Sequence, residues 1–422
     1  MNRLVSLCLM LIGAAVALGA AGLFGHAPRL HGESSPDDLV GFSTEASLWY
    51  SPVGQAGCAS AACHGGSSHS LTGRRDFRSW NGATLHCFAT DPHNRAFAAL
   101  ETPLAASIMR DLGSGISATQ DERCLACHTN PALANRSAEA REIALRREGV
   151  GCEGCHGNAE QWLHGHTSWT PENRGIHCDQ SGMTKLYDLG ERALACAGCH
   201  VGAPADPSRG YPVRDMNHDM IAAGHPRLSF DFADSQRRLP PHWFETDRSS
   251  GFELRSWLVG RAAHGEAACR LRDDRGTRTP RPEFADFSCV SCHHPLDSSF
   301  PRKEGKLNRE TAWPMDDAAG LDALVKLRRR LGKASNAEIE QIAASAFHSA
   351  EALPTMDRDL ASQIYFGLAA RERSQMLSDG RSGYPEKFDR LAKELRLPRG
   401  SIDFRVSSEA RSLLQGLLGE GR

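Results

Sequence analysis

The chain has little that would suit several common function classes. It carries no excess of charge, with 49 Lys and Arg against 51 Asp and Glu and a formal net charge of −2. A basic nucleic-acid binder and a polybasic membrane-surface protein are therefore excluded as expectations. Apolar content is lean for 422 residues, at 40% with 7% aromatics and a mean hydropathy of −0.41. Something other than aliphatic side chains is needed to fill part of the core. The last 130 residues hold no cysteine, and the others are not spread as in a small disulfide scaffold. Methionine is scarce in the middle of the chain, at Met109, Met183, Met216 and Met220.

Cysteine and histidine are abundant, at 14 and 19 residues. Ten cysteines form five tight pairs between Cys58 and Cys292, and each pair is followed at once by a histidine. Four pairs share one spacing: CLACH (Cys124, Cys127, His128), CEGCH (Cys152, Cys155, His156), CAGCH (Cys196, Cys199, His200) and CVSCH (Cys289, Cys292, His293). The first, CASAACH (Cys58, Cys63, His64), has four residues between its cysteines instead of two. Zinc sites also use paired cysteines but do not require the adjacent histidine. Covalent haem c does: two thiols become thioethers to the porphyrin vinyl groups, and the next imidazole reaches the iron. The small Ala and Ser spacer of the first motif can loop out, so five haem c groups are expected, with four as the minimum. In the four-haem alternative Cys58 and Cys63 are a disulfide or free thiols. Cys87, Cys178 and Cys269 are not followed by a histidine and read as buried thiols, or as one disulfide plus one thiol, rather than ligands.

The N-terminus supports the same chemistry. Arg3 precedes an apolar run from Leu4 to Gly25, the pattern of an export signal. The run is also long enough to remain as a membrane anchor. Cleavage and retention stand side by side, and both place the remainder outside the cytoplasm, in the periplasm. Residues 1–25 are the leader, 26–47 a Gly-, Pro- and Ser-rich linker, 48–300 the haem region and 301–422 a haem-free helical region.

Five proximal histidines need partners on the opposite side of each iron. With methionine scarce, bis-histidine ligation is expected, which favours low potential and electron relay. In TDPHNRA, Asp91 and Pro92 open a helix and project His93. In QWLHGH, His164 and His166 cannot both face one haem, and Trp162 would pack on a porphyrin. In NHDMIAAGHP, His218 and His225 are two helical turns apart and can serve two irons. His294 cannot share an iron with its neighbour His293 but can ligate another. The distal set is therefore His93, His166, His218, His225 and His294, with His242 and His164 as runners-up. His69, His86, His177 and His264 read as surface residues or propionate neighbours.

The tail differs in character. Leu321, Leu324, Leu327 and Leu331 form one helical stripe; Ile339, Ile342, Ala346 and Ala350 form a second; Phe388, Leu391 and Leu395 form a third. Ser335 and Glu338 make a capping box before the second stripe. Three to five amphipathic helices are expected. The stretch from Arg270 to Glu283 reads as a charged loop.

GVGCEGCHGNAEQWLHGH, CAGCHVG, NHDMIAAGHPRLSF and DFSCVSCHHPL, in that order, resemble a family of exported multihaem cytochromes. This family is akin to the tetrahaem electron carrier that accepts electrons from hydroxylamine oxidation in ammonia oxidisers. The resemblance covers about residues 48–295. It implies closely packed haem c pairs, mostly bis-histidine, in a mainly α, loop-rich fold, and its WLxxH pattern favours His166 over His164. The helical tail lies outside it. The expected function is electron relay between redox partner proteins, soluble or membrane-bound, with no nucleic acid and with membrane contact through the N-terminal segment. The alternative is an oxidoreductase with one open-coordinate haem acting on a small nitrogen or sulfur compound. A lysine-ligated Cys-Cys-Lys motif is absent. A third reading, a docking subunit of a respiratory complex, overlaps with relay.

Overall fold

A computed structural model describes residues 51–60, 63–64, 91–137, 139–228, 230–239, 251–278, 282–287, 289, 292–293, 320–351, 358–381, 385–395 and 406–419. The leader, the linker, Cys87, His69, His86, His242 and His294 lie outside the described residues. The described chain is mainly α, with no strand among its residues. Two isolated bridges, Ala203 with Arg214 and Asp206 with Tyr211, close one loop.

The first half is made of short helices. They are α1 (Gln55–Cys58), α2 (Pro103–Asp111), α3 (Glu122–His128), α4 (Ala140–Arg147), α5 (Cys152–His156), α6 (Arg174–Ser181), α7 (Leu189–His200), α8 (His218–Ala222) and α9 (Phe232–Arg238). Helices this short are marginal alone, so caps and tertiary contacts must hold them. Thr102 caps α2 with Pro103 at its first position. Asp121 caps α3, Asp188 caps α7, Asn217 caps α8 and Asp231 caps α9. In each case a side-chain oxygen accepts an amide hydrogen bond that the helix cannot satisfy itself.

The second half is built differently. A 27-residue helix, α10 (Phe252–Arg278), runs through it. It is surrounded by α11 (Leu321–Leu331), α12 (Asn336–Glu351), α13 (Arg358–Asp379), α14 (Glu386–Leu395) and α15 (Ser408–Gly419). Leu254, Trp257, Leu258, Val259, Ala262 and Ala263 of α10 are all fully buried. Close approach explains two glycines: a Cβ on Gly260 would strike Phe232, and one on Gly367 would strike the Trp257 ring.

The expected tail stripes correspond to α11, α12 and α14, with Leu324, Leu331, Ile339, Ala346, Ala350, Phe388, Leu391 and Leu395 in one buried cluster. The capping box at Ser335 and Glu338 forms: the Glu338 amide donates to Ser335 Oγ at 3.3 Å, and the Ser335 amide donates to Glu338 Oε2 at 2.9 Å. The same cluster includes Ala193 and Ala197 of α7. That helix therefore turns Ala193 and Ala197 toward the packed core while Cys196, Cys199 and His200 face a cavity.

Two sequence readings are corrected. Arg270–Arg278 is helix, not loop. Its charges pair within and beyond the helix: Arg270 with Glu266 at 2.9 Å, Arg278 with Asp274 at 2.6 Å, and Arg275 with Asp215 at 2.5 Å and with Asp286. Pairs four residues apart favour helix. His218 and His225 do not share a helix. α8 ends at Ala222, Gly224 takes φ +106°, and His225 follows in a non-helical segment.

Candidate haem centre

Each regular motif in the first half ends a helix, with its histidine as the last residue of α3, α5 or α7. One turn thus places two thiols and an imidazole on one side. The last motif makes the same turn, with the His293 amide donating to the Cys289 carbonyl at 2.7 Å. In the first motif the His64 amide donates to the Cys58 carbonyl at 3.3 Å. The histidine amide closes on the first cysteine in both, over four residues in one and six in the other. The ends of the longer motif therefore meet as they do in the short form.

The structure brings four motif histidines close to four of the candidate distal histidines, with near-parallel rings in two pairs and near-perpendicular rings in the other two. The ring centroids of His64 and His166 lie 6.2 Å apart, His200 and His93 6.0 Å, His128 and His225 6.3 Å, and His293 and His218 6.4 Å. Two imidazoles on opposite sides of one metal, each with its nitrogen about 2 Å away, have centroids about 6 Å apart. The four observed separations fit that arrangement. They are too long for direct hydrogen bonds between neighbouring ring nitrogens to explain all four geometries. His156 ends α5 and lines the same cavity as the other first-half motifs. His164 also lines it but is exposed.

The cavity has a volume of about 2220 Å³. An ordinary small-ligand pocket occupies roughly 300–1,000 Å³, so this space exceeds what a single such ligand needs. Cys58, Cys63, Cys124, Cys127, Cys152, Cys155, Cys196 and Cys199 all open into it. The described cysteines form no disulfide. Among the described residues no group of three or more His, Cys, Asp or Glu could hold a metal ion, which is what a Cys₄ or Cys₃His zinc site would require. Three buried donors on the cavity wall have no hydrogen-bond partner: Arg174 Nε, Arg214 Nε and Trp162 Nε1. Buried polar groups are normally paired. Donors of this kind fit the carboxylates that haem carries.

The imidazoles are oriented through their second nitrogens. His128 Nδ1 lies 2.7 Å from the Ala96 carbonyl, His166 Nδ1 2.7 Å from that of Leu163, and His225 Nδ1 2.8 Å from that of Pro226. His93 Nδ1 instead meets the Asp91 carboxylate at 2.8 Å. Holding one nitrogen in this way leaves the other free to bind metal. Burial pushes His200 down to about 4 and lowers His225 as well. Both are then neutral near pH 7, the form that binds a metal. The Asp91 hydrogen bond raises His93 against an opposing burial effect.

Neighbouring motifs touch. The free Cys58 thiol lies within hydrogen-bonding reach of that of Cys152, and the Cys127 thiol of that of Cys199. Glu153, in the spacer of CEGCH, ties the first of these contacts together. Its carboxylate accepts from the amides of Val53 at 3.0 Å, Gly54 at 2.8 Å and Ala159 at 2.6 Å. Burial raises its pKa in spite of these bonds. The sequence offered no signal for this role, since a spacer residue is free in the attachment pattern. Arg174 and Arg214 were missed for a related reason: isolated arginines carry no spacing. Trp162 does line the cavity, with its ring 5.4 Å from that of His166. Cys178 and Cys269 are buried thiols, as expected. His264 lies on α10, half-buried, and His177 stacks on Trp169.

Residues 58–157, less than half of the chain, match the family described as Cytochrome c554 and c-prime. No curated protein and no solved structure matches the chain. The family match supports a multihaem c-type cytochrome, with covalently bound haem and an electron-transfer role.

Proposed function

We propose that this chain is a periplasmic pentahaem c-type cytochrome that relays electrons between redox partner proteins. The observation that carries the reading is the set of four histidine pairs at 6.0–6.4 Å, each including one motif histidine. Haem c at these sites supplies one-electron iron chemistry at a potential set by its ligands and burial. The protein supplies the attachment thiols at Cys58 and Cys63, Cys124 and Cys127, Cys152 and Cys155, Cys196 and Cys199, and Cys289 and Cys292. Proximal imidazoles come from His64, His128, His156, His200 and His293. His166, His225, His93 and His218 would hold iron together with His64, His128, His200 and His293 respectively. His242 and His294 remain the sequence-based candidates for His156.

The contacts between motifs suggest an order for the relay that differs from chain order. The first motif touches the third through Cys58 and Cys152, and the second touches the fourth through Cys127 and Cys199. The Val150 amide, beside the third motif, donates to the His93 carbonyl at 3.0 Å and so adjoins the fourth centre. His225 and His218, seven residues apart, then connect the second centre to the fifth. The array runs first, third, fourth, second, fifth. Export rests on Arg3 and the apolar run from Leu4 to Gly25, cleaved or retained as an anchor. Among the described residues no helix is long and apolar enough to cross a membrane.

The test is haem quantified per chain, with the optical spectrum of the reduced, matured protein recorded before and after carbon monoxide. Five haems are expected, with the absorbance unmoved by carbon monoxide. A shift of one-fifth would place an open iron at His156 and favour the oxidoreductase reading. A larger shift would overturn the paired-histidine assignment, and four haems would remove Cys58 and Cys63 from the attachment set.

A further inference from the structure

Of the four ligand histidines whose second nitrogen has a partner within 2.8 Å, three face a backbone carbonyl and one faces a carboxylate. The exception is His93. Asp91 reaches it from two residues upstream, and the same Oδ1 also accepts the His93 amide at 2.9 Å. One carboxylate oxygen therefore fixes both the backbone and the ring of one residue. The Asp91 side chain is 16% exposed and that of His93 31%, so bulk water screens the contact only in part. The backbone behind it is held as well. Gly149 takes φ +68°, and a Cβ there would strike the His93 carbonyl, which already accepts from Val150.

A carbonyl and a carboxylate differ in what they do to an imidazole. Both select the tautomer with hydrogen on Nδ1 and free Nε2 for metal. Only the carboxylate brings a full negative charge, which draws the Nδ1 proton toward itself and makes Nε2 a stronger electron donor. A stronger donor stabilises the oxidised, more positive iron more than the reduced one. We propose that Asp91 is a positioning residue that, through His93, lowers the reduction potential of the haem attached at Cys196 and Cys199 relative to what a carbonyl partner would give. This rests on the assignment of His93 and His200 to one iron. It makes the fourth motif an electrostatically tuned point inside the array, in contrast to His128, His166 and His225, which are oriented by carbonyls.

The experiment uses the full-length, haem-loaded protein. Asp91→Asn keeps an accepting oxygen of the same shape and removes the charge, which copies the carbonyl sites. Potentiometric titration should show one of the five haems moving upward, by about tenfold in its reduced-to-oxidised ratio at fixed potential, or ~59 mV for one electron. The other potentials should stay in place. The unaltered protein gives a second readout that does not depend on the variant's maturation. Its ferric near-infrared charge-transfer bands should show one haem at shorter wavelength, the mark of a more anionic imidazole. His93→Ala separates the two levels of the argument. If it creates one iron reactive to carbon monoxide, His93 is a ligand; an unmoved or lowered potential in Asp91→Asn, or five alike charge-transfer bands, then overturns the role of Asp91 alone. If His93→Ala creates no such iron, the ligand assignment falls and the role of Asp91 falls with it.

Discussion

The halves of this protein solve the same problem with different material. From Leu254 to Leu418 the interior is filled by side chains, with Trp257, Leu258, Ile339, Ile364, Leu391 and Leu414 fully buried around α10. From residue 91 to residue 239 the helices are short, the apolar cluster is small, and a cavity of about 2220 Å³ occupies the place of a core. Packed interiors have few voids larger than a water molecule, so a space this large is a site for other atoms. The lean apolar content of the whole chain is thus an average over one ordinary region and one that borrows its filling. α7 is the hinge between them, with alanines on one side and an attachment motif on the other.

The strongest way to break this comparison is to deny the chain its haem. Protein made without the attachment machinery should keep slow amide exchange in α10 to α15, and in α7 and α9 that pack on them, and lose it throughout α2 to α6 and α8. Hydrogen exchange read by mass spectrometry checks this. Uniform protection across both halves would show that the first half packs without borrowed atoms.

A smaller effect sharpens the other side. Arg328 of α11 is 3% exposed and bonds Glu266 of α10, itself fully buried, at 2.8 Å, and Glu191 of α7 at 3.1 Å. Removing one member of a buried pair strands the other charge at a cost of about 3–5 kcal/mol. Arg270 also touches Glu266, at 2.9 Å, so Arg328→Met should cost about 3 kcal/mol. Adding Glu266→Gln should restore part of that. Denaturant titration measures both, and the haem spectrum of the folded protein should not change. Equal stability of the single variant and the parent would show that Arg270 alone suffices for Glu266.

The smallest effect concerns the seam. Asp231 caps α9 at the edge of the core, and burial pushes its pKa up to about 6, with the Asp234 amide and Arg261 acting against it. An unfolded Asp titrates near 4, so between about pH 4 and pH 6 the folded chain holds more protons than the unfolded one. Stability therefore falls as pH rises through that window and is flat above it, as far as this group is concerned. Asp231→Asn keeps a capping oxygen and should flatten the slope by roughly 1–3 kcal/mol over the window. An unchanged slope would mean that Asp231 is not the group responsible.

Much of the site was legible because attachment chemistry imposes fixed spacing, and the four histidines that lie beside motif histidines stood among the candidates drawn from local sequence. Which pairs with which was not legible. His93 sits on a single short 3-10 turn and His225 on an irregular segment, and their partners are distant in sequence. The amphipathic tail helices announced themselves through stripes. α10 did not, because a helix enclosed on most sides has no polar face and hence no stripe. Its charged end looked like a loop because the partners that neutralise it, Asp215 and Asp286, are supplied by other segments. Asp91 was visible as a cap; its second duty toward the His93 ring needed coordinates.

Helix α8 has a consequence of its own. It is five residues long, and the segment from its first residue to His225 carries the proposed outer ligands of two separate centres. Met220 is buried beneath it, and the His218 amide is held by Glu283, just ahead of the last attachment motif, at 2.8 Å. Under the proposed ligation this short piece is a yoke: a displacement of it would move the outer ligands of two centres at once, so the outermost centre and its inner neighbour would adjust together.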